Sequence, residues 1–465
     1  MKVKFLGAAK NVTGSRHLIE HNEGRILIDC GLYQEREFRS RNWDKFPVDP
    51  SSIDCVVLTH AHIDHCGYLP KLVKDGFRGK IYCTHPTAEI AEIALLDSAS
   101  LQESDAFFKR RRHKKEGRNG PYPEIPLYTV EDAKRVPLLF KKVDYKEQFN
   151  MTKNITGTFY DAGHILGSAM VELNFTEGKD VKTAVFSGDI GRWDKPILGD
   201  PHIFNKADYV FMESTYGNRL HGDHGTRLED LAKIINETNK AGGNILIPTF
   251  AIERAQELLY CMSGLLKDDK IPHLITFLDS PMAIDVTNVF KKYPNYFDEE
   301  AKMLIEKGNE LFSFPLLKTT QSTQESKAIN HVKGTAIIMA GSGMCTGGRI
   351  KHHLLSNLGR PESTILFVGY QAKGTLGREI LRRPSKVRLF GQNVAVNARI
   401  ERINGFSAHA DKDELLRWVT GFKEAPKKIF VIHGEDSIAE EFGEVLRNKL
   451  TSEIIVGEYL KEYLL

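Results

Sequence analysis

Thr59-His60-Ala61-His62-Ile63-Asp64-His65-Cys66-Gly67 follows the apolar run Cys55-Val56-Val57-Leu58 and packs three histidines and a carboxylate into six positions. The apolar run reads as a buried strand, and the polar stretch reads as the loop at its end. Imidazole and carboxylate are borderline-hard ligands suited to Zn²⁺, Mn²⁺ or Fe. Adjacent Asp64 and His65 cannot join His60 and His62 on one small ion without strain, so two metals sharing the loop is the simpler geometry. A polar surface loop would also be histidine-tolerant, but a chain with 17 histidines in 465 residues rarely clusters them behind a buried strand by chance.

Other ligand-type residues stand in similar settings. Ile26-Leu27-Ile28-Asp29-Cys30-Gly31 and Thr183-Ala184-Val185-Phe186-Ser187-Gly188-Asp189 each carry an apolar run into an acid. Asp161-Ala162-Gly163-His164-Ile165-Leu166-Gly167-Ser168 sets one histidine between glycines, and Ile429-Phe430-Val431-Ile432-His433-Gly434 ends a strand pattern on another. A lone strand-end Asp is more often a turn residue than a ligand. Loops on one edge of a sheet converge in space, however, and their joint occurrence with the histidine loop makes the case for a site.

In order, Asp29, His60-x-His62-x-Asp64-His65, His164 and Asp189 resemble the metal-site motifs of the metallo-β-lactamase superfamily. Phe211-Met212-Glu213-Ser214-Thr215-Tyr216-Gly217 resembles motif A of its β-CASP branch, Gly405-Phe406-Ser407-Ala408-His409-Ala410-Asp411 motif B, and Ile432-His433-Gly434 motif C. That branch contains the endonuclease of pre-mRNA cleavage and polyadenylation, bacterial RNase J and the DNA-repair nuclease Artemis. The likeness spans nearly the whole chain. It is specific for the branch and much less so for the substrate.

The resemblance implies an α/β fold: a metallo-β-lactamase αββα sandwich with an inserted β-CASP α/β domain whose sheet is mostly parallel. It also implies roles. His60, His62 and His164 would hold one metal, and Asp64, His65 and His433 the second, with Asp189 bridging both. Asp29 would stand behind a histidine and accept its free ring N–H. The expected cofactors are two Zn²⁺ per chain, ~3.5–4 Å apart, sharing a hydroxide that attacks the phosphodiester. Asp64, Glu213 and His409 form the catalytic set, with His409 as general acid and Glu213 behind it.

At this length two domains are expected. A composition of 41% hydrophobic and 27% charged residues describes a soluble globular protein, and no apolar run reaches the ~18 residues of a membrane span. Met1-Lys2-Val3-Lys4-Phe5-Leu6-Gly7 enters a strand pattern directly, without a signal peptide. Cysteines 30, 55, 66, 83, 261 and 345 form no Cys-x-x-Cys pair and read as reduced, apolar residues of a cytoplasmic protein. A net charge of +3 is too slight to argue for nucleic acid by itself.

Strand and helix patterns alternate over 1–206, and a second βαβ series with strands near 244–247, 335–339 and 364–368 fills an inserted domain at 207–390. The pattern at 209–212 opens that series. Residues 391–465 return to the first domain with motifs B and C. Helical spacing runs from Pro86 to about Gln102, then gives way to a charged segment, Lys109-Arg110-Arg111-Arg112-His113-Lys114-Lys115, continuing through Gly117 to Pro121. It reads as a helix end and an exposed loop, either solvated or contacting phosphate.

Two glycine-rich stretches, Ala340-Gly341-Ser342-Gly343-Met344-Cys345-Thr346-Gly347-Gly348-Arg349 and Gly369-Tyr370-Gln371-Ala372-Lys373-Gly374-Thr375-Leu376-Gly377-Arg378, follow strands. They are either tight turns or a phosphate cradle completed by Arg349 and Arg378. Ser342, Thr346 and Arg378 are the candidates for the RNA backbone. Neither stretch fits a Walker nucleotide-binding pattern.

The function expected is zinc-dependent hydrolysis of single-stranded RNA to 3′-hydroxyl and 5′-phosphate ends, by endonucleolytic or 5′-exonucleolytic attack. Single-stranded RNA is the expected partner, a membrane is not, and a homodimer is one candidate assembly. DNA processing is a second reading, against which His433 stands where Artemis-like proteins usually carry valine. Small-ester hydrolysis is a third, but such enzymes lack the inserted domain and the pairing of motifs A and B. A non-catalytic partner subunit would have lost metal ligands, and this chain keeps all seven.

Overall fold

The apolar strands that lead to Asp189, Glu213 and His433 lie side by side. Asp180–Phe186, Tyr209–Glu213 and Lys428–Ile432 pair in parallel, with Phe186 opposite Phe211 and Phe211 opposite Phe430. The three rings stack, with centroids 4.1 and 4.7 Å apart and planes within 7° of parallel. This register brings the residues just beyond each ring to one edge of the sheet. A slip by one residue would turn the rings to the opposite face.

A computed structural model describes residues 1–119, 124–221 and 226–465. The chain divides into one unit of Met1–Leu220 with His409–Leu465 and a second of His221–Ala408.

The first unit holds two seven-stranded sheets. One orders Glu462–Leu464, Lys2–Gly7, Arg16–His21, Gly24–Ile28, Cys55–Val57, Lys80–Cys83 and Phe140–Lys142, antiparallel at its first three pairings and parallel thereafter. The other orders Glu453–Val456, Lys428–Ile432, Tyr209–Glu213, Asp180–Phe186, Ala169–Glu177, Ile155–Asp161 and Gln148–Asn150. Val3, Phe5, Ile19, Ile26, Val57, Val171, Phe211 and Phe430 from both sheets share one dry core. On the far face of the second sheet, Met170, Val210 and Met212 pack against Leu415 and Trp418 of the Lys412–Thr420 helix and Phe442 and Leu446 of the Asp436–Lys449 helix. These are the layers of a metallo-β-lactamase sandwich. The sequence pattern opens the inserted domain at 207, but the strand Tyr209–Glu213 is bonded on both sides within this unit. The division falls at 220/221 and again at 408/409.

The charged segment is a helix end, and the loop begins only at Gly117. One helix runs His85–Glu116, with Thr84 capping its start and Gly117 ending it in the left-handed region at φ +60°. Lys and Arg are good helix formers, and cations in the last turn complement the helix dipole, so the charged run extends the helix. Gly120 and Pro121 lie outside the described residues.

The second unit carries a six-stranded, all-parallel sheet ordered Leu317–Thr319, Ile275–Asp279, Ala336–Ala340, Ile245–Pro248, Thr364–Phe367 and Arg399–Arg402. Asp279, fully buried at a strand end, accepts hydrogen bonds from Thr320 Oγ1 (2.5 Å), Ser326 Oγ (2.6 Å), His353 Nε2 (2.6 Å) and Arg349 Nη1 (2.7 Å). Arg349 also donates to the Thr320 and Gln321 carbonyls. Of the two readings of the 340–349 stretch, the bonding of Arg349 goes against the cradle: its guanidinium is committed to a buried carboxylate, because an unpaired charge at Asp279 would be far costlier than an unfilled loop. Among the described residues, no helix is long and apolar enough to cross a membrane.

Candidate metal centre and active site

Every ligand-type residue of the sequence reading sits at a strand-end loop of the first unit. His60 and His62 follow Cys55–Val57, and Asp64 and His65 lie on the one-turn helix Ile63–Cys66. That turn is clamped by its neighbours. Cys30 N donates to His65 O (2.7 Å), Ser15 N to Asp64 O (2.8 Å) and Leu32 N to Ile63 O (3.0 Å). The approach is so close that a Cβ on Gly31 would stand 1.5 Å from Asp64 O, so only glycine fits. The loops of His164 and Asp189 are joined likewise: Gly191 N donates to Ala162 O at 2.7 Å, and a Cβ there would meet Gly163 O at 1.9 Å.

Among the described residues three groups of ligand-type atoms result, two of them built on the histidine motifs and a third, Asp189, Glu213 and His433, sharing residues with those sites. Of the two histidine sets, His60, His62, His164 and Asp189 form one, and Asp64, His65 and His433 the other. In the first, His62 Nδ1 lies 3.1 Å from both His60 Nε2 and His164 Nε2, while Asp189 Oδ2 lies 3.4 and 3.5 Å from those two nitrogens. In the second, His65 Nε2 is 3.0 Å from His433 Nε2, and His433 Nε2 is 3.7 Å from Asp64 Oδ2. Asp189 Oδ1 is 3.2 Å from His65 Nε2 and 3.7 Å from His433 Nε2. The two oxygens of one carboxylate therefore face different sets.

These distances fit metal. Zinc–nitrogen bonds of about 2.0–2.1 Å put tetrahedral ligand atoms roughly 3.3–3.4 Å apart, inside the range of edges found here. Asp189 Oδ1 is buried with no hydrogen-bond partner, the condition of an atom whose lone pair is meant for a cation. Burial, reinforced by the neighbouring His60, lowers the pKa of His62 to about 3. Burial also holds His164 well below its ordinary value, so both present neutral imidazole, the form that ligates.

Supporting residues fix the rings. Asp29, itself at φ +58°, accepts from Thr59 N (2.8 Å) and Thr59 Oγ1 (2.9 Å), and its Oδ2 lies 2.7 Å from His65 Nδ1. The histidine it orients is thus His65. Thr59 and Thr215 were not singled out from sequence. Thr59 Oγ1 also lies 3.1 Å from His60 Nδ1, and Thr215 Oγ1 lies 3.1 Å from His433 Nδ1. Ser168 Oγ, also missed, accepts from the amides of His164 and Ile165 at 3.1 Å. The available signal was adjacency: each threonine sits within one or two residues of a motif acid or histidine.

Glu213 is fully buried and accepts from Ile190 N at 2.7 Å, and its Oε1 lies 3.2 Å from His409 Nδ1. Burial opposes a charge on His409, but Glu213 and Asp189 outweigh it and raise its pKa to about 9. The pair stands against Asp189, with His409 Nδ1 3.8 Å from Oδ2. Ser342, Thr346 and Arg378 lie in the second unit. Ser342 Oγ accepts from the amides of Thr346 (3.1 Å) and Gly347 (3.3 Å), and Arg378, in the first turn of the Leu376–Leu381 helix, donates its amide to the capping Thr375 Oγ1.

Residues 18–185 match a metallo-β-lactamase superfamily domain, 255–380 a β-CASP domain, and 393–456 a Zn-dependent metallo-hydrolase RNA specificity domain. A ribonuclease of Thermus thermophilus is 37% identical over 446 residues, 96% of this chain and 96% of that protein. Transcription termination factor FttA of Methanocaldococcus jannaschii is 30% identical over 460 residues, 96% of this chain and 69% of that protein. A solved structure of a protein of unknown function from Enterococcus faecalis shares the fold at TM-score 0.56 and 11% identity, covering 100% of this chain and 99% of its own. Three domain matches in sequence order, with end-to-end identity to the Thermus protein, make this chain a member of the β-CASP branch of the metallo-β-lactamase superfamily.

Proposed function

We propose that this chain is a two-zinc ribonuclease that hydrolyses single-stranded RNA to 3′-hydroxyl and 5′-phosphate ends. The observation that carries the reading is Asp189, whose two oxygens face two separate ligand sets while the Glu213–His409 pair stands beside it. His60, His62, His164 and Asp189 would hold one zinc, and Asp64, His65, His433 and Asp189 the other, where the ions would supply Lewis acidity toward water and phosphate. Glu213 holds His409 Nδ1 and so fixes the ring. His409 Nε2 then delivers its proton to the departing 3′-oxygen as the P–O3′ bond breaks, leaving the phosphate on the 5′ end of the downstream product. Asp29 and Thr59 keep His65 and His60 in one tautomer. Ser342, Thr346 and Arg378 contact the RNA backbone. The six cysteines are free and buried, which suits a cytoplasmic protein.

Purified protein incubated with 5′-labelled and internally labelled RNA, with chelator and after zinc is restored, tests the reading. Zinc-restored cleavage with 5′-phosphate products is expected, and the two labels separate internal from terminal cutting. Chelator-resistant cleavage, or equal cleavage of DNA of the same sequence, overturns it.

A further inference from the structure

The His85–Glu116 helix starts at the metal centre and leaves it. Thr84 Oγ1 and Thr87 Oγ1 donate to Gly167 O at 2.7 and 2.8 Å, in the loop that carries His164. At about 1.5 Å per residue, Phe107 stands ~33 Å further along the axis. Beyond Ala99 only Ala106 and His113 of this helix are buried, seven residues apart on one line of the surface. Phe107 and Phe108 are exposed, 48% and 65%, with their ring centroids 5.6 Å apart. The Arg111 guanidinium lies 5.6 Å above Phe107. Lys109, Arg110, Arg111, Arg112, Lys114 and Lys115 are exposed, and none of them forms an ion pair among the described residues. Of the acids near the helix end, Glu116 pairs with Arg118 and Glu124 with His113.

We propose that this helix end is a second contact surface for single-stranded RNA, which engages the strand beyond the catalytic site; the proposal rests on the ribonuclease reading. Cations supply the phosphate contacts, and the two exposed rings, each with an arginine one turn on, offer faces for unstacked bases. A membrane is a poorer occupant. An interfacial helix segregates its apolar residues from its charges, whereas here the rings are interleaved with cations. A second copy of the chain is poorer still, since a two-fold contact would set two unpaired cationic stretches against each other. A stacked strand rising ~3.4 Å per nucleotide needs about 10 nucleotides to run from the anchored end to Phe107. The surface therefore serves long RNA and not short RNA.

The test measures kcat/KM and Kd for unstructured 30- and 6-nucleotide RNAs in the full chain. One variant changes Lys109, Arg110, Arg111, Arg112, Lys114 and Lys115 to Gln; another is Phe107→Ala with Phe108→Ala. Native protein should prefer the 30-mer, and each variant should reduce that preference by about tenfold or more. The charge variant should also flatten the salt dependence of 30-mer binding by up to about 4 in log–log slope. Circular dichroism confirms that the helix persists. An undiminished preference and an unchanged slope overturn the proposal and leave a solvated helix. It also falls if the phenylalanine variant abolishes binding to phosphatidylserine vesicles, or dissociates a dimer, while RNA affinity stays the same. Native protein that neither binds nor cuts either RNA overturns the ribonuclease reading itself; cleavage of both RNAs without a length preference overturns only the helix surface.

Discussion

His409 Nδ1 lies 3.2 Å from Glu213 Oε1 and 3.8 Å from Asp189 Oδ2, so one imidazole is held by a buried carboxylate while bordering the acid shared by both ligand sets. On the proposed reading His409, absent from both histidine sets, acts as a proton donor rather than a ligand. His409→Ala should retain two zinc ions and RNA affinity and lose ~10²–10⁴-fold in kcat. Metal analysis beside single-turnover cleavage reads both. Loss of zinc from this variant would make His409 a ligand.

Asp189 and Asp29 should separate by metal count. Asp189→Ala removes an oxygen from each set and should leave the protein with less than one zinc per chain and no measurable cleavage. His65 is the one histidine of the two sets that Asp29 bonds directly, so Asp29→Asn should weaken one of two zinc ions by ~10–100-fold while the other, reached only through Thr59, changes less. Stepwise chelator titration distinguishes one affected site from two. Equal weakening of both ions by Asp29→Asn would contradict the assignment.

The site was more legible in the sequence than the chain's division. The candidate ligands have local signatures: His60, His62, Asp64 and His65 fall within six positions after one strand, and Asp189 and His433 follow plain apolar runs. The limits of the second unit were less so, because Tyr209–Glu213 looks like any strand opening a βαβ series. Its place is decided by parallel pairing with Asp180–Phe186 and with Lys428–Ile432, more than two hundred residues away in the chain for the latter. The helix His85–Glu116 was cut short because a run of cations resembles a loop in composition, although the same residues favour helix. Arg349 looked available for phosphate because its partner, Asp279, lies seventy positions earlier.

The stacked rings beneath the site should matter to stability and to the metals together. Phe211 is fully buried between Phe186 and Phe430, two residues before Glu213. Phe211→Ala should cost about 3–5 kcal/mol, and Phe211→Leu about 1 kcal/mol. Urea unfolding followed by tryptophan fluorescence gives the stability, and zinc affinity of the folded fraction gives the consequence for the sheet edge. An alanine variant within 1 kcal/mol of native would mean the stack does not hold the register.

Asp279 makes the second unit sensitive to acid. Burial works against its charge, but hydrogen bonds from His353, Ser326, Thr320 and Arg349 outweigh it and hold the carboxyl below the usual carboxylate range. Because the folded pKa lies below the unfolded value of about 3.9, the unfolded chain takes up the proton first as pH falls. The stabilisation is therefore fully present above pH ~4 and is lost as pH falls through the folded pKa. Asp279→Asn keeps the shape but removes the charge that Arg349 and His353 face. At pH 7 it should destabilise the second unit by about 3 kcal/mol, the scale for a buried pair that loses one partner. The gap between native and variant should hold from pH 7 to 5 and narrow below pH 4, as proton uptake by Asp279 in the unfolded native-sequence chain removes the advantage of the charge. Denaturant unfolding across that range, with hydrogen exchange at Ile275–Asp279 and Ala336–Ala340 to place the loss in this sheet, measures it. A gap that stays constant below pH 4 would mean that the carboxylate's charge contributes nothing and that the hydrogen-bonded shape alone holds the loop.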